Sequence, residues 1–180
     1  PNFMKTIPVC SLKGGVGKTS AVAALGHELS ILGKKVLLVD GNFSSPNLGL
    51  HFNIVDPEAT LHHVISRLAT PSQAIQKIEN LDVLPSSLFW RKKINPLVLK
   101  DKLKPIKKRY DNILIDSSPA LNDETLAVML ASDDLLIVTT PDVPTLSTTV
   151  KAVRIAKKRD AQISGLILNK VYNRKFEIPI

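Results

Sequence analysis

The feature that most restricts what this chain can fold into is the segment Ser11-Leu12-Lys13-Gly14-Gly15-Val16-Gly17-Lys18-Thr19-Ser20. It lies between a short apolar, β-branched run and a stretch with helical periodicity. Its glycines let the backbone curl so that several N–H groups converge on one anion, where side chains would obstruct. A helix opening at Lys18 turns the positive end of its dipole toward the same point. Lys18 then supplies a cation to terminal phosphates, and the Thr19 hydroxyl can take a magnesium coordination position. An ordinary glycine-rich turn is the competing reading, and the strand–loop–helix setting argues against it.

The surrounding pattern fits that setting. Short β-branched runs alternate with longer helical patterns, the signature of a parallel sheet covered by helices. Strands are expected over 6–12, 35–40, 81–84, 112–116, 134–139 and 162–171. Helices are expected over 18–32, 61–68, 73–78, 97–109 (kinked at Pro105), 123–131 and 146–158. In the first helix Ala21, Val22, Leu25, Leu29 and Leu32 fall on one face, and Gly33 is placed to cap it. The stretch 41–57, rich in Gly, Asn, Ser and Pro, reads as loop. Near-continuous apolar strands such as Val36-Leu37-Leu38-Val39 and Ile113-Leu114-Ile115 belong to sheets buried on both faces. The expectation is a doubly wound α/β fold, mostly parallel, with helices on both faces and ligands at the carboxyl ends of the strands. A chain of 180 residues accommodates one such domain, 1–180. The tail 172–180 has no partner element in view, so the chain reads as stopping short of a complete fold of this type.

Composition narrows the function classes. No stretch approaches the ~18 uninterrupted apolar residues of a membrane-spanning helix, and the first ten residues run straight into a strand pattern, unlike a signal or transit peptide. Cys10 is the one cysteine, which excludes an internal disulfide and an all-cysteine metal site and suits a reducing cytoplasm. Residues 1–90 hold 7 Lys and Arg against 6 Asp and Glu, while residues 91–180 hold 17 against 10, so nearly all of the formal charge of +8 lies in the second half. Such asymmetry suits either a solvated basic surface or an anionic partner. Interleaved aromatics, which single-stranded nucleic acid would use, are missing.

Two carboxylates end apolar strands at the sheet edge where the glycine loop must lie, Asp40 and Asp116. Together with Thr19 they can hold a hydrated magnesium ion beside the phosphates; each can equally serve as a turn former. His62 and His63 are adjacent in sequence and point to different helix faces, so with His51 they make a poor metal set. Cys10 reads as a small core residue. Leu88-Phe89-Trp90, followed by Arg91-Lys92-Lys93, is either aromatic packing onto the sheet or a partner- or membrane-facing patch with a basic flank.

In one respect the glycine segment departs from the strict Gly-x4-Gly-Lys-Thr pattern: its first glycine is here Leu12. What remains, with a lysine just ahead of the glycine pair, resembles the deviant P-loop of the family containing MinD, ParA and their relatives. The resemblance continues through Val39-Asp40-Gly41-Asn42 to Pro46-Asn47-Leu48-Gly49-Leu50 (first switch), Leu81-Asp82-Val83-Leu84-Pro85-Ser86, Tyr110 to Pro119 (Walker B strand and second switch), Val138-Thr139-Thr140-Pro141-Asp142, and Leu166-Ile167-Leu168-Asn169-Lys170. It implies a P-loop fold that binds ATP with Mg2+ through Gly14, Gly15, Val16, Gly17, Lys18, Thr19 and Ser20, with Asn169 contacting the base. It implies that Lys13 crosses a dimer interface to the partner's nucleotide, and that hydrolysis involves Lys13, Lys18, Asp40 and the position of Asn42. Relatives usually carry a second aspartate at that position, which orients the attacking water; this chain has an amide.

The resemblance therefore implies a cytoplasmic switch ATPase, homodimeric with ATP, that controls spatial organisation (septum placement or partition) with a regulatory protein partner, and it leaves association with a membrane surface or DNA open. An iron–sulfur reductase of this superfamily needs shared cysteines that Cys10 alone cannot supply, and a related tyrosine kinase would carry a tyrosine cluster, whereas only Tyr110 and Tyr172 occur. Two readings from other classes stand beside it. One is a nucleotide-held scaffold without useful turnover. The other is a DNA-associating partition protein using Lys100, Lys104 and Lys107, or Lys151, Arg154 and Lys158, as helical stripes.

Overall fold

The computed structural model describes residues 4–158, 160–172, 174, 175, 177 and 178. Among them, seven strands form one sheet: β1 (Lys5–Cys10), β2 (Val36–Gly41), β3 (Gln76–Ile78), β4 (Leu81–Leu84), β5 (Asn112–Ser117), β6 (Leu135–Thr139) and β7 (Ile163–Leu168), in the order β3-β4-β2-β5-β1-β6-β7. All neighbours pair in parallel except β3 with β4. Six α-helices accompany them: α1 (Lys18–Ile31), α2 (Leu61–Ile65), α3 (Pro71–Ala74), α4 (Leu99–Leu103), α5 (Asp123–Leu130) and α6 (Val143–Lys158).

The two-residue period of the strands sorts the core into two layers. Val36, Leu38 and Leu114 pack with Val22 and Leu25 of α1 on one face, while Leu37, Val39, Ile113 and Ile115 meet α2, α4, α5 and α6 on the other. Leu37, Leu38, Leu114 and Ile115 are wholly buried, each contributing about 1.5–3 kcal/mol by removal from water. Strand β1 has β5 on one side and β6 on the other. The connection through α1 leaves on one face and that through α5 crosses on the other, so a crevice opens at the carboxyl end of β1.

Two helical expectations are corrected. The segment 73–78 is not a helix: α3 occupies Pro71–Ala74, and Gln76–Ile78 turns into strand β3, antiparallel to β4. Thr70 and Gln73 form a capping box with Pro71 in the first turn, so the helix starts earlier than the apolar spacing suggests. The expected helix over 97–109 is broken, not kinked. A 3-10 turn Pro96–Val98 leads into α4, and after Pro105 the chain resumes as a separate 3-10 turn, Lys107–Arg109. Proline there has no N–H to continue the ladder. The stripe Lys100, Lys104, Lys107 therefore does not lie along one helix, and Lys107 pairs with Asp133 at 2.6 Å. Lys151, Arg154 and Lys158 do lie exposed on α6.

The helix over 61–68 ends at Ile65, before the left-handed Arg67. Phe89 is 56% exposed, and Trp90 packs on His62 and His63 of α2, not on the sheet. In the tail, residues 173, 176, 179 and 180 lie outside the described residues, but the Ile178 N–H donates to the Pro141 carbonyl at 2.7 Å, so this segment does have a partner. No helix among the described residues is long and apolar enough to cross a membrane.

Candidate functional site

The loop between β1 and α1 wraps the mouth of the crevice. Gly15 and Gly17 adopt φ of +74° and +95°, the left-handed region that side chains resist. A Cβ at Gly17 would also collide with the Asn169 amide nitrogen. That amide donates to the Val16 carbonyl at 2.8 Å, and Lys170 Nζ donates to the Gly15 carbonyl at 2.6 Å. The segment just after β7 thus ties down two of the loop's carbonyls.

That crevice is a cavity of about 640 Å³, lined by Gly14, Gly15, Gly17, Lys18, Thr19 and Ser20 from the loop and helix start. Asn42, Asn47, Leu50 and His51 close it from the segment after β2, Ser117 from the end of β5 and Pro119 just beyond it, and Asn169 and Lys170 from the segment after β7. Lys18 is nearly buried. Its Nζ donates to Ser11 Oγ at 3.1 Å, and burial lowers its pKa while Asp116 and Cys10 pull the other way. The Thr19 hydroxyl donates to Asp116 Oδ2 at 2.6 Å. Asp116 Oδ1 is buried and lacks a partner among the described residues. Burial pushes the Asp116 pKa up, with the Thr19 hydroxyl and Lys18 opposing. An unpaired buried carboxylate oxygen beside a hydroxyl is what a hydrated hard cation would satisfy, so this donor set fits magnesium.

Asp40 is placed differently from Asp116. It is fully buried, and its two oxygens accept N–H bonds from Asn42, Asn47 and Leu48 at 3.2, 3.1 and 3.0 Å. Its pKa is pushed up to about 8 by burial first and by Asp116 second, against those three donors. Its visible work is to fold the segment after β2 back onto the sheet edge, within reach of the cavity but not on its lining. Asn42, 6% exposed, donates its amide N–H to the Ser45 carbonyl at 2.6 Å, which leaves its own carbonyl oxygen for the cavity.

Lys13 does not line this cavity. Its Nζ donates to Thr145 Oγ1 at 2.6 Å and to Asp142 at 3.1 Å, on the connection from β6 into α6. The Asp142 carboxyl is held far below its ordinary pKa by the hydroxyls of Thr140 and Thr145. Cys10, buried at the end of β1, has its thiol pushed up to about 12 by burial, so it is not a nucleophile at neutral pH.

Sequence reasoning gave no site role to Asn47, Leu50, His51, Ser117, Pro119 or Lys170, which also line the cavity. His51 sits on the 3-10 turn Gly49–Phe52, apart from His62 and His63. Its only signal is proximity to the loop after β2. His62 works away from the cavity. Its Nδ1 accepts from the Ser87 N–H at 3.0 Å and its ring meets that of Phe43 edge-on, tying the segment after β2 to the one after β4. Burial, then His63, lowers its pKa to about 4, against about 6.5 unfolded. The folded state therefore favours neutral His62: its contribution is fully present above pH ~6.5 and is lost as pH falls toward ~4. The urea midpoint of wild type should drop more between pH 7 and pH 4.5 than that of His62→Gln; equal drops would remove His62 from this role.

A family model described as an AAA domain matches residues 4–163. The chain is 36% identical over 168 residues to an uncharacterized ATP-binding protein of Methanocaldococcus jannaschii, covering 92% of this chain and 64% of that protein's length. It is 33% identical over 184 residues to the sporulation initiation inhibitor protein Soj of Bacillus subtilis, covering 91% of this chain and 72% of Soj. Among solved structures, the septum site-determining protein MinD of Pyrococcus horikoshii, complexed with Mg-ADP, superposes with a TM-score of 0.92 at 35% identity, covering 97% of this chain and 74% of that one.

Proposed function

The chain belongs to the MinD/ParA type of P-loop ATPases, and from that membership we propose that it is a magnesium-dependent ATP switch that dimerises around nucleotide and acts in spatial organisation within the cell. The observation that carries the reading is the Lys18–Thr19–Asp116 cluster under a glycine loop braced by Asn169.

In this reading the N–H groups of Gly14 to Thr19 donate to phosphate oxygens. Lys18 exchanges the Ser11 hydroxyl for the terminal phosphates, while Thr19 and Asp116 would hold the metal. Magnesium, when bound, neutralises charge on the phosphates. Asp40 sets the loop that carries Asn42, and the Asn42 carbonyl oxygen accepts a hydrogen bond from the attacking water. With its nitrogen committed to Val16, Asn169 has its carbonyl oxygen left to accept from the amino group of adenine; guanine offers an acceptor there instead. Calorimetry tests the reading: Mg-ATP should bind more tightly than Mg-GTP, and no binding of either would sink it.

Lys13 is the residue for dimerisation. Its present partners, Asp142 and Thr145, lie outside the phosphate cavity, so the tie holds the cation where a second copy could receive it. Lys13→Ala should leave monomeric Mg-ATP affinity within about threefold and abolish the dimer formed with a non-hydrolysable analogue, as read by sedimentation velocity. Normal dimerisation of Lys13→Ala would restrict Lys13 to its local contacts.

A scaffold held together by nucleotide, with little turnover, is the second reading. Asn42 favours it, because an amide is far less basic than the carboxylate usual at that position.

A further inference from the structure

A second cavity, of about 510 Å³, lies on the far side of the segment after β2. Phe43 and Ser44 form one wall and Glu124, in the first turn of α5, another; His62 and Trp90 line it between them. Two buried polar atoms in these walls lack a hydrogen-bond partner among the described residues, the indole Nε1 of Trp90 and Oε2 of Glu124. Glu124 is only 8% exposed, and its other oxygen accepts from the Ser44 hydroxyl. A buried donor and a buried acceptor left unpaired each give up hydrogen bonds to water without replacement. Native interiors rarely carry such atoms without a use.

The two orphan atoms specify their ligand. It must offer an acceptor to the indole and a donor to the carboxylate. One residue of an extended chain presents its C=O and N–H on the same side, which supplies both. The rings of Phe43, His62 and Trp90 provide a seat for an apolar side chain. At the rim, Arg91, Lys92 and Lys93 are exposed, and none forms a salt bridge among the described residues. Asp123 is the one opposing charge beside Glu124. A polyanionic nucleic acid would satisfy the rim but would set phosphate against Glu124.

We propose that this cavity docks an extended, acidic segment of a partner protein, one of whose residues bridges Trp90 Nε1 and Glu124 Oε2 through its backbone. Acidic side chains on either side of it pair with Arg91, Lys92 and Lys93.

Trp90 is the only tryptophan, so its fluorescence reports on this cavity alone. The test selects a displayed library of random dodecapeptides on the wild-type chain, with counter-selection on Glu124→Ala, and titrates fluorescein-labelled synthetic copies of enriched peptides by anisotropy, a readout that Trp90→Phe retains. The expected peptides are rich in Asp and Glu and shift the Trp90 emission. Their affinity should fall about tenfold or more in Glu124→Ala, in Trp90→Phe and in the double variant Lys92→Glu, Lys93→Glu. Mg-ATP affinity of the same variants should stay within about threefold of wild type, which separates failure of this proposal from failure of the nucleotide site and shows that the variants fold. Enriched peptides that lack acidic residues, or that bind Glu124→Ala and Trp90→Phe as well as wild type, would overturn it. So would a short DNA duplex that shifts Trp90 emission through Lys92 and Lys93 without needing Glu124.

Discussion

Lys18→Ala should remove measurable Mg-ATP binding, an affinity loss of about 100-fold or more. The cation is nearly buried and its one side-chain hydrogen bond goes to the neutral Ser11 hydroxyl. A desolvated, under-paired ammonium gains more from a phosphate than an exposed lysine would, and each hydrogen bond to a charged group contributes about 1.5–3 kcal/mol. Two such bonds lost correspond to roughly 100-fold or more in affinity. The substitution also takes away the cation that lowers the Asp116 pKa, so Asp116 keeps its proton to higher pH and serves the metal less well. Thr19→Ala provides the contrast. It removes the hydroxyl on Asp116 but no charge, so it should weaken the magnesium dependence of binding more than binding of nucleotide in excess chelator. Calorimetry with and without magnesium reads both variants. Unchanged Mg-ATP affinity in Lys18→Ala would end the phosphate-site assignment.

Asn42→Asp should raise the single-turnover rate of ATP hydrolysis by about 100-fold, the lower end of what a positioned general base contributes. The structure adds a cost that the sequence did not disclose. The Asn42 amide N–H donates to the Ser45 carbonyl at 2.6 Å; an aspartate has no donor there and would face that oxygen with its own. It would also add a carboxylate two residues from Asp40, whose pKa burial already raises. The nucleotide-free variant should therefore lose about 1–3 kcal/mol in urea denaturation. A variant that is less stable when empty yet faster with Mg-ATP is the expected pair of results. Equal rates in both proteins, with brisk wild-type turnover, would assign water positioning to Asp40 or to a backbone carbonyl and make Asn42 neutral.

What could be read in the amino-acid order is what depends on near neighbours. The glycine loop, its helix and the apolar strands follow from local sterics, helical spacing and burial on both faces. So the positions of β2, β4 and β5 and the start of α1 at Lys18 needed no knowledge of the rest of the chain. Local chemistry that was present but outweighed explains the two corrected helices: the Thr70–Gln73 capping box, and Pro105 ending a run whose basic periodicity suggested continuity.

The distribution of work inside the site depended on contacts between residues far apart in the chain. Asp40 and Asp116 look alike as carboxylates ending apolar strands. Yet one collects three backbone N–H groups from the loop that follows it, and the other faces Thr19 across 97 positions with an oxygen unpaired. Asn169 bracing Val16 and Lys13 tied to Asp142 and Thr145 span distances in sequence that no periodicity encodes. The cavity between Ser44, Trp90 and Glu124 exists only because the segments that follow β2 and β4 meet the first turn of α5. A phosphate-binding loop on a parallel sheet is thus specified by residues a few positions apart, and the amino-acid order sufficed to read it. Which carboxylate meets the Thr19 hydroxyl, where Lys13 rests and which polar atoms stay buried without a partner were settled by long-range packing. Each of these depends on desolvation and geometry that arise only when distant strands are brought side by side.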